Sequence, residues 1–136
     1  MIYFIRHGES EANLREVFAG QKDDSALTEK GREQAREAGN KIKSLGLNID
    51  IIVSSPLIRA FDTAKIVAQI IGYSKEIVID GRITEYDMGI LTGTPGHQIT
   101  SKALVSAENA EDPEAFCSSG RAHLMVCDVV YKLTLC

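Results

Sequence analysis

The chain has 136 residues, of which 44% are hydrophobic and 25% are charged, and its formal net charge is −4 at pH 7. This length suits a single compact domain, since domains commonly run about 100 to 150 residues. The ordinary composition excludes a disordered chain, and the negative charge gives no reason to expect a nucleic-acid partner, which needs clustered lysines and arginines on one face.

The first predicted element is a short apolar run that ends in residues suited to chemistry. It predicts a buried strand over residues 2–5, and it stops at Arg6, His7 and Gly8. Ligands of open α/β sheets bind beyond the carboxyl ends of strands, where a glycine lets backbone N–H groups turn toward an anion. Arg6 offers a planar fork of donors for phosphate oxygens, and His7 offers a nucleophilic ring nitrogen.

The next predicted element is an amphipathic helix over residues 28–46. Thr28 is its expected N-cap and Gly46 its expected stop. Its apolar stripe has helical spacing and consists of Ala35, Ala38, Ile42 and Leu45. The opposite face interleaves basic and acidic residues, which indicates a solvated surface.

A second strand and a second helix follow. Residues 49–53 form a β-branched apolar run that is typical of a buried parallel strand. Ser54, Ser55 and Pro56 then predict an N-cap and a first-turn proline, and Gly72 predicts the end of the helix. The apolar stripe of this helix consists of Leu57, Ala60, Ala64, Val67 and Ile71.

A short third strand is predicted over residues 76–79, so strands and helices alternate along this part of the chain. Such alternation predicts an α/β fold with a parallel sheet and crossover helices. Residues 80–98 lack periodicity and predict a loop over the strand ends. A weak helix is predicted around residues 112–123, and a last strand is predicted over residues 124–135.

The remaining composition signals concern the compartment. No apolar run approaches the about 20 residues that span a bilayer, and residues 1–5 are too short for the core of a secretory signal. We therefore expect a cytoplasmic protein without a membrane partner. Cys117, Cys127 and Cys136 contain no Cys-x-x-Cys pair, so we expect reduced thiols rather than a disulfide frame or a metal site.

Four ordered motifs give the chain a family resemblance. The run Arg6-His7-Gly8-Glu9-Ser10-x-x-Asn13 resembles the signature of the histidine phosphatase superfamily, the phosphoglycerate mutase-like proteins. The other segments that resemble this family, in its order, are Phe18-Ala19-Gly20, Leu27-Thr28-Glu29-Lys30-Gly31, Ser54-Ser55-Pro56-Leu57-x-Arg59-Ala60-x-x-Thr63-Ala64 and Thr84-Glu85-x-x-x-Gly89-x-x-x-Gly93. The resemblance covers roughly residues 1–95. It implies one domain over residues 1–136, built as a three-layer sandwich with a mostly parallel sheet flanked by helices and an incomplete C-terminal part.

The resemblance also implies roles for individual residues. His7 is expected to attack a phosphomonoester and to become phosphorylated, with its other ring nitrogen held by a backbone acceptor. Arg6 and Arg59 are expected to grip the phosphoryl oxygens at the end of the sheet. Glu85 matches the proton donor of the family. The expected binding pocket further includes Gly8, Asn13 and Gly20, and no metal or cofactor is required.

One part of the family pattern is missing from the sequence. Members carry a second histidine at the end of a later strand, followed by glycine, whereas only His97 and His123 remain here. His97 lies in the irregular loop, and His123 precedes the last predicted strand. A premature stop, a frame change near Ser118 and a naturally shortened pseudoenzyme are all consistent with this pattern, and an incomplete sheet is expected to expose an edge that a second copy covers.

Three functions are therefore consistent with the sequence. The leading one is a metal-independent phosphatase that acts on a small phosphorylated metabolite through phosphohistidine at His7. The second is phosphoglycerate mutase-type phosphoryl transfer, which the resemblance associates with enclosing segments that we do not expect in a chain of this length. The third is a catalytically impaired protein that binds phosphate without turnover.

Overall fold

The structure is a computed structural model that describes residues 1–85, 87, 92–95 and 123–127. Its helices and strands follow the predicted alternation. In chain order they are β1 (Ile2–Arg6), α1 (Glu11–Leu14), α2 (Glu29–Ser44), β2 (Ile51–Ser54), α3 (Ile58–Ile71), β3 (Val78–Ile79), a 3₁₀ turn (Gly81–Ile83) and β4 (His123–Cys127).

The four described strands form one parallel sheet in the order β1-β4-β2-β3. Strand β4 lies between β1 and β2, with Cys127 level with Arg6 and Val126 level with Ser54. Because all four strands are parallel, their carboxyl ends lie at the same edge of the sheet. The prediction of an α/β fold with a parallel sheet is confirmed, and this edge is where the chain leaves β1 for His7.

Helix α2 is nearly as predicted. Thr28 is its N-cap, and the Thr28 hydroxyl accepts a hydrogen bond from the Gly31 N–H. Ala35 and Ile42 are buried, as the stripe predicts. Leu45 was wrongly placed in that stripe: the helix ends at Ser44, so Leu45 is the C-cap rather than a helical residue, and it is 59% exposed.

Helix α3 begins later than predicted. Its N-cap is Leu57 rather than a serine, so Pro56 precedes the helix instead of occupying its first turn. The Leu57 N–H donates to the Ser55 hydroxyl at 3.3 Å, and the Ile58 N–H donates to the Asp24 carboxylate at 2.6 Å. One donor of the first turn, the Ile58 N–H, is therefore satisfied by a residue from a distant loop, which local sequence cannot reveal.

The core lies between the sheet and the pair formed by α2 and α3, which pack against each other. Ile52 and Val126 from the sheet and Val67 from α3 are fully buried in it. Ala60 and Ala64 of α3 belong to the same core, so the predicted stripe of α3 faces it, and the described helices supply one layer against the sheet.

The predicted end of α3 at Gly72 is confirmed, since this residue is the C-cap and has a left-handed backbone with φ 72°.

Strand β1 is less buried than its apolar sequence suggests. Phe4 is 37% exposed and the remaining apolar residues of the strand are half-buried. Among the described strands, β1 pairs on one side only, with β4. An edge position leaves half of such a strand open to solvent, so the prediction of a buried strand was wrong.

Several predicted elements differ in extent or lie elsewhere. Strands β2 and β3 are 51–54 and 78–79 rather than 49–53 and 76–79. The last strand begins at His123, which the sequence had placed at the end of a helix over 112–123, and the rest of that predicted helix lies outside the described residues. Within the part of the chain that the structure describes, no helix is both long and apolar enough to cross a membrane.

Candidate active site

The candidate site lies where the chain leaves β1. Arg6 is the last residue of the strand, and His7, which is only 9% exposed, follows it directly. Both residues and Gly8 line an open cavity of about 220 Å³, together with Gln34 from α2 and Thr63 from α3. Since a liquid water occupies about 30 Å³, this volume accommodates a tetrahedral phosphoryl group.

The imidazole of His7 is held by the backbone. Its Nδ1 atom lies 2.6 Å from the Gly8 carbonyl oxygen. A carbonyl oxygen only accepts hydrogen bonds, so Nδ1 must carry the proton, and in the neutral ring the lone pair is then on Nε2. The sequence-based expectation of a backbone acceptor for one ring nitrogen agrees with this contact.

Two helices hold the backbone that follows His7. The Gly8 N–H donates to the Thr63 hydroxyl of α3 at 3.1 Å. The Glu9 N–H donates to the side-chain oxygen of Gln34 of α2 at 2.8 Å. The two peptide groups on either side of Gly8 are therefore each bonded to a side chain from a different helix.

Arg59 lies in the first turn of α3, as predicted, and is 2% exposed. Its guanidinium donates to the Asp23 carbonyl at 2.9 Å and to the Gly20 carbonyl at 3.2 Å. Arg59 thus joins the glycine-containing turn to the start of α3. The same loop provides Asp24, whose carboxylate accepts the Ile58 N–H at the N-terminus of α3.

Asn13 has a structural contact next to the site. Its side-chain oxygen accepts the Ser10 N–H at 2.9 Å and the Ser10 hydroxyl at 3.1 Å, which caps the short helix α1. This contact occupies the oxygen of the amide group only. The amide N–H groups of the exposed Asn13 side chain take no part in it.

Glu85 is half-buried and follows the 3₁₀ turn that succeeds β3. Asp80 fixes the start of this segment, because its N–H donates to the Ser54 carbonyl at 2.9 Å and its carboxylate accepts two parallel bonds from the Arg82 side chain. Hydrogen bonding to Arg82 holds the pKa of the Asp80 carboxyl below its ordinary value.

The segment after Glu85 is joined to the glycine-containing turn. The Gly93 N–H donates to the Phe18 carbonyl at 2.8 Å, and the Phe18 N–H donates to the Thr94 carbonyl at 3.0 Å. Lys22 and Asp87 form an exposed ion pair at 3.4 Å. Two of the motifs found in the sequence, those of Gly20 and Gly93, are therefore neighbours in the fold.

His123 does not take the place of a second site histidine. His123 begins β4 and is level with Ile2, at the opposite end of the sheet from Arg6. Cys127 lies four positions further along the strand, which is about 13 Å. The sequence continues after Cys127 with Asp128 and Val129 rather than His-Gly, and His97 lies outside the described residues.

Sequence reasoning missed two residues of the site. Thr63 was recognised as part of a motif but given no role, and Gln34 was not noticed. Their contacts join residues 55 and 25 positions apart, so no local pattern reports them. The available signal was their position on the helices, since Thr63 lies one turn after Arg59 and Gln34 lies three residues after Gly31.

Known proteins resemble this chain in sequence and in fold. The family model of the histidine phosphatase superfamily (branch 1) matches residues 2–127. The 2,3-bisphosphoglycerate-dependent phosphoglycerate mutase of Thermoplasma acidophilum is 39% identical over 97 residues, which are 71% of this chain and 46% of that protein. A probable phosphoglycerate mutase GpmB of Salmonella arizonae is 44% identical over 66% of this chain and 40% of its own length. The chain spans less than half the length of these relatives.

Solved structures with phosphatase names share the fold. A mycobacterial glucosyl-3-phosphoglycerate phosphatase, complexed with VO3, is 31% identical with a TM-score of 0.65, over 76% of this chain and 48% of that one. The Entamoeba histolytica phosphoserine phosphatase in complex with 3-phosphoglyceric acid is 29% identical with a TM-score of 0.68, over 93% of this chain and 72% of that one. With its motifs on the matching elements and the family model spanning nearly its whole length, this chain belongs to the histidine phosphatase superfamily.

Proposed function

We propose that this chain hydrolyses a small phosphate monoester through a phosphohistidine formed on His7. The observation that carries the proposal is the contact between His7 Nδ1 and the Gly8 carbonyl, because it leaves the Nε2 lone pair as the nucleophile of a neutral ring. The ring is nearly buried and lines the cavity next to Arg6.

The proposed reaction has two steps. In the first, Nε2 attacks the phosphorus atom, the bond from phosphorus to the ester oxygen breaks, and the leaving alkoxide takes a proton from Glu85. In the second, water attacks the phosphohistidine, the phosphorus–nitrogen bond breaks, and the Glu85 carboxylate takes a proton from that water. Inorganic phosphate leaves, and His7 and Glu85 return to their starting protonation states.

In this proposal the arginines neutralise the negative charge of the phosphoryl group as it is transferred. Arg6 and Arg59 supply fixed positive charge and several N–H donors near the carboxyl ends of the strands, which suits the oxygens of a phosphoryl group. Arg59 uses bonds to Gly20 and Asp23 to hold its position, so its orientation is set before substrate arrives. Asn13 and the backbone of Gly8 and Gly20 complete the proposed pocket. Guanidinium groups acting in this way make a metal ion unnecessary.

The names of the relatives suggest substrates to test. They refer to phosphoglycerate, glucosyl-3-phosphoglycerate and phosphoserine, which are phosphate esters of small hydroxy acids or their derivatives. We propose the same class of compound for this chain. The panel is an aryl phosphate, 3-phosphoglycerate and phosphoserine, each assayed for release of inorganic phosphate.

A His7→Ala variant tests the proposal directly. Loss of phosphate release to the background of the buffer is expected, with binding of vanadate weakened because the nucleophile is absent. The control is Gln69→Ala, since Gln69 is an exposed residue of α3 on a surface away from the cavity. Unchanged turnover in His7→Ala would remove His7 from the mechanism.

Two alternative functions make different predictions. Phosphoglycerate mutase activity, which the two sequence relatives suggest, predicts interconversion of 3- and 2-phosphoglycerate in preference to phosphate release. A phosphate-binding protein without turnover is suggested by the lack of His-Gly after β4, and it predicts vanadate binding with no measurable product. Strict preference for isomerisation would reverse the order of the first two candidates.

A further inference from the structure

We infer that Thr63 and Gln34 are positioning residues that fix the tautomer and the orientation of His7. This inference rests on the proposed function, since it assigns these two residues a task in the reaction of His7. Neither residue needs to touch the substrate, because each acts on the backbone that holds the imidazole.

Gln34 acts through one peptide group. The Gly8 carbonyl that accepts from His7 Nδ1 and the Glu9 N–H that donates to Gln34 belong to the same peptide unit. Hydrogen bonds at the two ends of a peptide group polarise one another, so the bond to Gln34 strengthens the carbonyl as an acceptor. It also fixes the plane of the peptide, and therefore the direction in which the carbonyl faces the imidazole.

Thr63 acts through the preceding peptide group. Its hydroxyl donates to the Arg59 carbonyl at 2.8 Å and accepts the Gly8 N–H at 3.1 Å. Because a hydroxyl has one proton, the bond to Arg59 leaves only lone pairs for the Gly8 N–H. The side chain is 1% exposed, so water does not compete for these contacts.

The two bonds restrict the backbone on both sides of Gly8. A glycine has the widest choice of backbone conformations, so this residue would otherwise let the carbonyl rotate away from His7. With the N–H groups of Gly8 and Glu9 held by two helices, one orientation of the carbonyl remains. The same hydroxyl also bonds the turn of α3 that carries Arg59, which couples the nucleophile to the proposed phosphate-binding arginine.

The test combines kinetics with the tautomer of His7. Thr63→Val keeps the shape of the side chain but removes the hydroxyl, whereas Thr63→Ser keeps the hydroxyl. Gln34→Met removes the acceptor from an exposed position, where loss of folding is not expected, and Gln69→Met is its matched control on α3. The His7 tautomer is read from nitrogen chemical shifts of histidine-labelled protein at a pH where the ring is neutral, with His7→Gln identifying its signals.

The wild type is expected to have its proton on Nδ1. Thr63→Val and Gln34→Met are expected to shift the proton toward Nε2 and to lower kcat about ten-fold with little change in KM, the effect of losing one hydrogen bond. Thr63→Ser and Gln69→Met should retain both properties. Wild-type tautomer and kcat in Thr63→Val and Gln34→Met would overturn the inference, as would lower melting temperatures with an unchanged tautomer.

The same measurements separate this inference from the proposed function. A wild type that has the Nδ1 tautomer, loses it in both variants and yet hydrolyses none of the three substrates would refute the function and support the positioning role. A wild type that hydrolyses phosphate esters at a rate unaffected by either variant would support the function and refute the positioning role.

Discussion

Gly8 and Gly31 meet backbone to backbone, with no room for a side chain on either residue. A Cβ atom on Gly8 would lie 2.2 Å from the Gly31 carbonyl oxygen, and one on Gly31 would lie 2.0 Å from the Glu9 carbonyl oxygen. The atoms in conflict are backbone atoms, which cannot rotate away. The turn that follows His7 therefore packs directly against the first turn of α2. The Thr28 N–H donates a hydrogen bond to the Glu9 carbonyl at 2.9 Å, which holds the turn in place.

A methyl group at position 31 is therefore expected to destabilise the fold and displace the nucleophile. Gly31→Ala should lower the free energy of unfolding by about 1–3 kcal/mol, the usual cost of overpacking. Chemical denaturation measures this value, and turnover should fall with it. The control is Gly81→Ala, because Gly81 has nothing within 4 Å of the added methyl. Equal stability of the two variants would show that the close approach is not required.

Replacement of Arg59 by lysine is expected to impair both the loop and the reaction. Lysine keeps the charge but cannot donate in parallel to the Gly20 and Asp23 carbonyls. Leaving one carbonyl without a donor costs about 1–3 kcal/mol. We expect faster hydrogen exchange in residues 20–24 and at least a ten-fold lower kcat/KM. Faster exchange with unchanged vanadate affinity and kcat/KM would restrict Arg59 to a structural role.

Removal of the Glu85 carboxyl proton is expected to slow the hydrolysis of some substrates more than that of others. General acid catalysis contributes about 10²–10⁴-fold, but only where the leaving group needs a proton. Glu85→Gln should therefore slow release of phosphate from phosphoserine far more than from an aryl phosphate with an acidic phenol. Steady-state rates on the two substrates give the ratio. An equal loss on both would contradict the assignment of Glu85 as the proton donor.

Stability at acidic pH is expected to depend on Glu9. Hydrogen bonds from Lys30 and Thr28 hold the pKa of the Glu9 carboxyl below its ordinary value of 4.5. A carboxyl whose pKa is lower in the folded state stabilises the fold above pH 4.5, and this contribution is lost as the pH falls through the folded-state pKa. The effect is small and weakens with salt, because the lysine of the pair is exposed.

Lys30→Met should therefore flatten the acid side of the stability profile. Melting temperatures between pH 7 and pH 3 at low ionic strength compare this variant with the wild type. Lys43→Met is the control, since Lys43 is an exposed lysine near the other end of α2. An identical acid profile for wild type and Lys30→Met would exclude the Glu9–Lys30 pair as the source.

Introduction of His-Gly after β4 is expected to raise turnover. The strand ends level with Arg6, so the chain leaves it at the edge of the sheet where His7 lies. A hydrogen bond to a charged group is worth about 1.5–3 kcal/mol, which corresponds to about ten- to a hundred-fold in rate. The double variant Asp128→His, Val129→Gly should gain this factor in kcat/KM on an aryl phosphate. His123→Gln, at the far end of β4, should leave the rate unchanged.

The sequence was sufficient where local rules decide the structure. Helix α2 has its cap and its periodicity within one segment, and its N-terminus was predicted correctly at Thr28. Helix α3 shows the limit, because the N–H of its first residue, Ile58, bonds to Asp24 from a loop 34 residues earlier. The burial of β1 was also overestimated, since the apolar sequence does not reveal which strand lies at an edge.

The candidate site likewise contains residues that local sequence predicts and residues that it does not. Motif spacing predicted His7, Arg59 and the glycine-containing segments as parts of the site, and the fold brings Arg59 and these segments together through the contacts of Gly20 and Phe18. No role was predicted for Gln34 or Thr63, because each contacts the site through a hydrogen bond to backbone that is far away in the sequence. A side chain that bonds to a backbone group far away in the sequence, unlike the N-cap Thr28, carries no local pattern of its own.

The most direct test of the account is to trap the covalent intermediate. Wild-type protein mixed with an aryl phosphate and quenched in alkali within milliseconds should contain one phosphoryl group on the peptide that includes His7, stable to base and labile to acid. Mass spectrometry should place it on His7, and it should disappear after longer incubation as phosphate is released. Turnover of the substrate without phosphorylation of His7 would contradict the proposed mechanism.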